Sequence, residues 1–229
     1  WIPSSRFWFC LNGVAWYLSV QAFLYAIFPG LLALLKKVDT RRLRCIAAAI
    51  FCAQFLFSLA IWKAGLSGKS IFYLTYLCPL FRAGDFAISC CMGCLYHSRK
   101  EERIPHGAFS LLELAAVLFS GGCFFIAARQ VGALGAVAFR YNVLFTPSAV
   151  LLVWLLAVGK GVISRLLSAK PFLWLAGLSP YGFLIHQVLI RYMELAANKL
   201  GLTAHPVVWT LTVFLLTLCL SSFYKALER

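Results

Sequence analysis

A chain of 229 residues that is 62% hydrophobic and only 12% charged, with a mean hydropathy of +0.87, lies outside the soluble globular class. Its formal net charge of +14 would point to nucleic acid in a soluble domain. Here the cations sit in short stretches between apolar runs, where orientation in a bilayer is their ordinary role, so nucleic acid is set aside as a partner and lipid is expected instead.

Windows of about 19 residues predict seven membrane helices, near residues 14–35, 43–62, 78–97, 109–128, 141–158, 171–193 and 204–224. Short connections and the lack of any fixed repeat make this one all-α, polytopic helical bundle. The first segment carries Trp16, Ser19, Gln21 and Tyr25 in its opening turns and Pro29 about midway, where a proline kink can widen a bundle.

The third segment reads PLFRAGDFAIS over 79–89 and puts Arg82 and Asp85 on one helix face, close enough to neutralise each other. A charge at mid-membrane costs about 2.5–3.5 kcal/mol on insertion scales. Such a pair is therefore either a structural ion pair that fixes packing or the lining of a substrate cavity. Glu113 opens the fourth segment at the opposite depth and is assigned to a separate inner vestibule.

The sixth segment reads LSPYGFLIHQVLIRY over 178–192. It aligns Ser179, Gly182 and His186 on one face, with Gln187 beside them and Pro180 loosening the backbone one turn below. A histidine there either bonds to a neighbouring helix or, titrating near neutral pH, moves a proton or binds a polar substrate. Nine cysteines fall mostly inside the apolar runs, and none has metal-ligand spacing with a histidine nearby. They read as small hydrophobes, with no metal site and no disulfide framework expected.

The loops give a direction. Lys36, Lys37, Arg41, Arg42 and Arg44 follow the first segment, and Arg99, Lys100 and Arg103 follow the third. With Lys160, Arg165 and Lys170 after the fifth and Lys225 and Arg229 after the seventh, one side collects 13 cations and the other 7. The richer side is expected to be cytoplasmic, which puts the start of the chain outside and its end inside. Ser19 and Gln21, the Arg82–Asp85 pair and His186 then share an outer depth, as expected if they wall one water-filled cavity. Lacking an initial Met and a charged leader, the sequence reads as an internal piece of a longer product.

Three stretches together resemble one family. NGVAWYLSVQAFLYAIFP (12–29) resembles the N-x-x-A-W-x-L-S-V-E-x-x-x-Y-x-x-F-P segment of the acyltransferase-3 family of integral membrane O-acyltransferases. PLFRAGDFAISCCMGCLY (79–96) resembles its P-L-F-R-x-G-D-F-x-I-G segment. LLSAKPFLWLAGLSPYGFLIHQVLIRY (166–192) is similar to its L-S-x-K-x-x-x-x-L-G-x-I-S-Y-x-x-F-L-I-H-Q segment. The motifs stand in family order over most of the chain.

The resemblance implies a bundle of about ten helices, of which this chain holds seven. It implies transfer of an acyl group, commonly acetyl, from cytoplasmic acyl-CoA to a hydroxyl of an extracytoplasmic glycan or lipid-linked glycan, in the company of glycan-assembly enzymes. It also implies a principal catalytic His in a first helix upstream of this chain, so that the piece alone would be inactive. Arg82, Asp85 and His186 would support catalysis, and Trp16, Ser19, Gln21, Tyr25, Ser179 and Gln187 would bind substrate. This sequence departs from the pattern at Gln21, where the family has Glu, at Ser89, where it has Gly, and at Pro180, where it has Tyr. An amide at 21 shares hydrogen bonds but takes no proton. The competing reading is a transporter, flippase or ligand-sensing membrane module, in which the same polar groups would serve passage of a small polar substrate.

Overall fold

The computed structural model describes residues 15–98, 106–129, 138–201 and 205–228. Regular structure among them is entirely helical. Lipid demands this, because a spanning segment has no water to bond its N–H and C=O groups and must satisfy them internally. The helices are α1 (Ala15–Leu35), α2 (Thr40–Lys63), α3 (Gly68–Phe72), α4 (Pro79–Ser98) and α5 (His106–Arg129). They continue with α6 (Thr146–Val158), α7 (Val162–Leu167), α8 (Lys170–Ala176), α9 (Ser179–Leu200) and α10 (Pro206–Leu227).

Five described stretches are long and apolar enough to cross a bilayer: Trp16–Leu35, Thr40–Lys63, Gly68–Ser98, Gly107–Arg129 and Pro206–Leu227. A sixth, α8 with α9, passes the same test as a pair bent by 58°. The seven expected segments are thus met by five long stretches, one bent pair and the short α6. The chain is an all-α, multi-pass membrane protein.

The differences have local causes. Helix α6 has 13 residues, about 20 Å at 1.5 Å per residue, against a hydrocarbon core of about 30 Å. The turn at 141–145 takes the first part of the expected fifth segment. Its Asn142 carbonyl accepts from the Phe145 and Thr146 N–H groups at 2.7 and 3.1 Å, and Pro147 follows in the first turn of α6. The bend between α8 and α9 falls at residues 177–178, and Pro180 then stands in the first turn of α9, where its missing N–H goes unneeded. The expected third segment reaches further back than 78. Helix α3 leads through a π-turn at Tyr73–Leu77 to Cys78, whose extended backbone separates it from α4. Helix α1 runs through Pro29 as one element.

The described part of Ser19–Leu166 forms one compact unit, and the described part of 167–229, with residues 15–18, forms a second. In the first, α2 packs along α4, α5 along α6, and α4 meets α6. Leu35, Leu43 and Cys91 bury one junction, and Phe109, Ala116 and Leu155 another. In the second unit α9 packs on α10. The outward faces keep large apolar side chains exposed, among them Leu34, Leu118, Phe124 and Leu215, as helices bathed in acyl chains do.

Candidate active site

Pro79 starts α4, so Arg82 and Asp85 stand in its opening turns, beside the π-turn. Arg82 Nη1 donates to Asp85 Oδ2 at 3.2 Å, and Arg82 Nε donates to the Tyr76 carbonyl at 2.9 Å. The guanidinium carbon lies 4.9 Å from the centre of the Tyr76 ring, within cation–π range. From α2, Gln54 Nε2 donates to Asp85 Oδ1 at 3.2 Å and to the Phe81 carbonyl at 2.9 Å. Gly84 makes room for that reach: a Cβ there would stand 2.6 Å from Gln54 Nε2. Both charges are half-buried, with 20% of the Arg82 side chain and 27% of the Asp85 side chain exposed. The bonds described use two of the five guanidinium N–H donors.

Asn142 joins this group from the turn before α6. Thr146 Oγ1 donates to its Oδ1 at 2.9 Å, while its buried Nδ2 turns toward Asp85 without closing a hydrogen bond. These residues head a cavity of about 480 Å³ between α4 and α6. The two helices run side by side in the same direction. One end of the cavity is polar, with Arg82, Asp85, Tyr141, Asn142 and Thr146. Beyond it the walls turn apolar through Ile88, Met92, Val150 and Val153. At the far end stands Tyr96, whose hydroxyl donates to the Ala157 carbonyl at 2.9 Å and whose ring meets Trp154 edge-on at 6.0 Å. A half-buried ion pair with spare donors at the head of an apolar cavity suits a ligand whose polar end must be held and polarised.

The sequence profile of the acyltransferase-3 family, described as an acyltransferase domain, matches residues 1–225. The chain belongs to the acyltransferase-3 family. No curated protein and no solved structure matches it. Membership implies a membrane acyltransferase.

The remaining expected residues of this acyltransferase occupy both units. In the second, His186 Nδ1 lies 3.0 Å from the Gly182 carbonyl. A carbonyl only accepts, so Nδ1 carries the hydrogen in this contact. His186 lines a cavity of about 370 Å³ with Trp209, Thr210 and Thr217. Ser179 is exposed at the start of α9 and Gln187 is half-buried. The Tyr181 hydroxyl donates to the Glu228 carboxylate. Trp16 meets Tyr17 edge-on at 6.1 Å. In the first unit, Gln21 Nε2 donates to the Tyr25 hydroxyl at 2.6 Å, and Ser19 and Tyr25 are exposed. The cavity headed by Arg82 does not count Ser19, Gln21 or Tyr25 among its lining residues.

Glu113 of the acyltransferase has a structural task rather than a vestibule. Fully buried, it accepts from the N–H groups of Gly161, Ile163 and Ser164 at 3.1, 2.9 and 3.2 Å. Ser110 Oγ accepts from Val162 N–H at 3.2 Å. The start of α7 is thus capped from α5, which satisfies donors that a helix N-terminus leaves open. Gly161 is required there, because any Cβ would run into the Glu113 carboxylate. The eight described cysteines are free.

Proposed function

We propose that the protein takes an acyl group from acyl-CoA at the cytoplasmic face of the cell membrane and places it on a hydroxyl of an extracytoplasmic glycan or lipid-linked glycan. Family membership supports the reaction class, and the uneven distribution of cations supports the direction. The Arg82–Asp85 pair at the polar end of the α4–α6 cavity is the observation that carries the reading. The hydroxyl oxygen attacks the thioester carbonyl carbon while its proton passes to a base. The C–S bond then breaks, and CoA leaves as a thiolate that takes the proton back. Charge gathers on the carbonyl oxygen in between, and donors aimed at it are worth about 10²–10³ in rate. Arg82 supplies such donors; Asp85 and Tyr76 hold its guanidinium in place. His186 supports acid–base chemistry through Nε2.

The experiment is to express the gene in cells lacking it and to measure the acyl content of surface glycans by nuclear magnetic resonance. Arg82→Ala is expected to lower glycan acylation at least a hundredfold, and His186→Ala at least tenfold, at equal protein in the membrane. Wild-type acylation in both variants would remove these residues from the mechanism.

A further inference from the structure

The cavity that Arg82 heads, about 480 Å³, offers far more room than the acetyl group expected from the family resemblance would fill. On α4 the lining runs from Asp85 through Ser89 and Gly93 to Tyr96, a rise of about 16 Å at 1.5 Å per residue. The facing wall on α6 runs in step, from Thr146 through Ala149, Val150 and Val153 to Trp154. Small side chains keep this shaft open on both walls. At Gly93 a Cβ would meet nothing within 4 Å, and Ala149 lines the same cavity from α6. The polar groups collect at the head, and the aromatic pair Tyr96–Trp154 stands at the foot. Such a shape fits a linear aliphatic chain with one polar end.

We propose that the shaft is an acyl-chain site, that the acyl group carried is considerably longer than acetyl, and that Gly93 and Ala149 set its length. The thioester carbonyl sits by Arg82 and Asp85, and the tail lies along Ile88, Met92 and Val150. The inference rests on the acyltransferase reading but is tested by binding, so the two stand or fall separately.

Membranes carrying the protein are exposed to octanoyl-CoA with a diazirine on its chain, illuminated, digested and mapped by mass spectrometry. Acetyl-, butanoyl-, octanoyl- and dodecanoyl-CoA compete for the site. Each CH₂ removed from water is worth about fourfold in affinity, so dodecanoyl-CoA is expected to compete at least a hundredfold better than acetyl-CoA. Label is expected on α4 and α6. In Gly93→Leu and Ala149→Phe the advantage of dodecanoyl over acetyl is expected to fall tenfold or more. Leucine at 93 enters open space and favours helix, and Ala149→Phe narrows the shaft from the other wall should the first variant fail to accumulate. Equal competition by acetyl-CoA, label outside α4 and α6, or an unchanged length preference in both variants would overturn the proposal. Should the chain bind as expected while no acyl group leaves CoA in the presence of cell-envelope glycans, the acyltransferase reading fails and the chain site stands.

Discussion

At position 84 a missing side chain determines what its neighbours can do. Gln54 crosses from α2 to reach Asp85 only because α4 presents bare backbone there. Gly84→Ala is expected to push the amide away and break its bonds to Asp85 and the Phe81 carbonyl. Losing a bond to a buried charged group costs about 1.5–3 kcal/mol, so thermal unfolding in detergent should drop by several degrees and acyl transfer should fall. Unchanged unfolding would mean that Gln54 contributes nothing to the pair. Arg82 and Asp85 were legible in the sequence because charge inside an apolar run is costly and stands out. Gln54 was not, since an amide carries no charge to stand out in an apolar helix and its partner lies 31 residues away. Asn142 was hidden differently: it falls at the edge of an apolar window, and only the turn of the backbone brings it beside Asp85. In the first segment the polar groups Gln21 and Tyr25 bond to each other one helical turn apart.

At the scale of elements, hydropathy found each segment but not its backbone. A window counts apolar side chains over 141–158 whether or not the first five residues are helical. It therefore missed that a turn holds them and that α6 is short. Non-helical backbone at membrane depth survives where it is buried or lines a cavity, and this turn does both, with Asn142 buried at the cavity head. Pro180 was expected to loosen the sixth segment; it stands in the first turn of α9, and the 58° bend falls at the residues just before it. Glu113 was misread because depth alone says nothing of partners; its carboxylate caps a helix 48 residues further on. Glu113→Gln keeps the shape but turns an N–H₂ group toward backbone donors. It is expected to destabilise the first unit by about 3 kcal/mol, read as early melting and lower yield from membranes. Wild-type melting would show that charge at the cap is unimportant.

For the molecule as a whole, composition alone settled the membrane class and the helical fold, because lipid leaves a chain of this kind few alternatives. Function came from the three family motifs, and the match over residues 1–225 carries it. Direction rests on charge. The connection after α1, with Lys36, Lys37, Arg41, Arg42 and Arg44, is expected in the cytoplasm together with the end of α10. Single cysteines placed at 37 and 226 in a background stripped of native thiols should both resist a membrane-impermeant maleimide in intact cells and react after permeabilisation. Reaction of either in intact cells would reverse the orientation.

The most direct measurement uses inside-out membrane vesicles with radiolabelled acyl-CoA added outside and glycan acceptor sealed within. The wild-type protein is predicted to move label onto the enclosed glycan, and Arg82→Gln at equal abundance to move it at least a hundredfold more slowly. Equal labelling by the two would contradict the assignment of the chemistry to the head of the α4–α6 cavity.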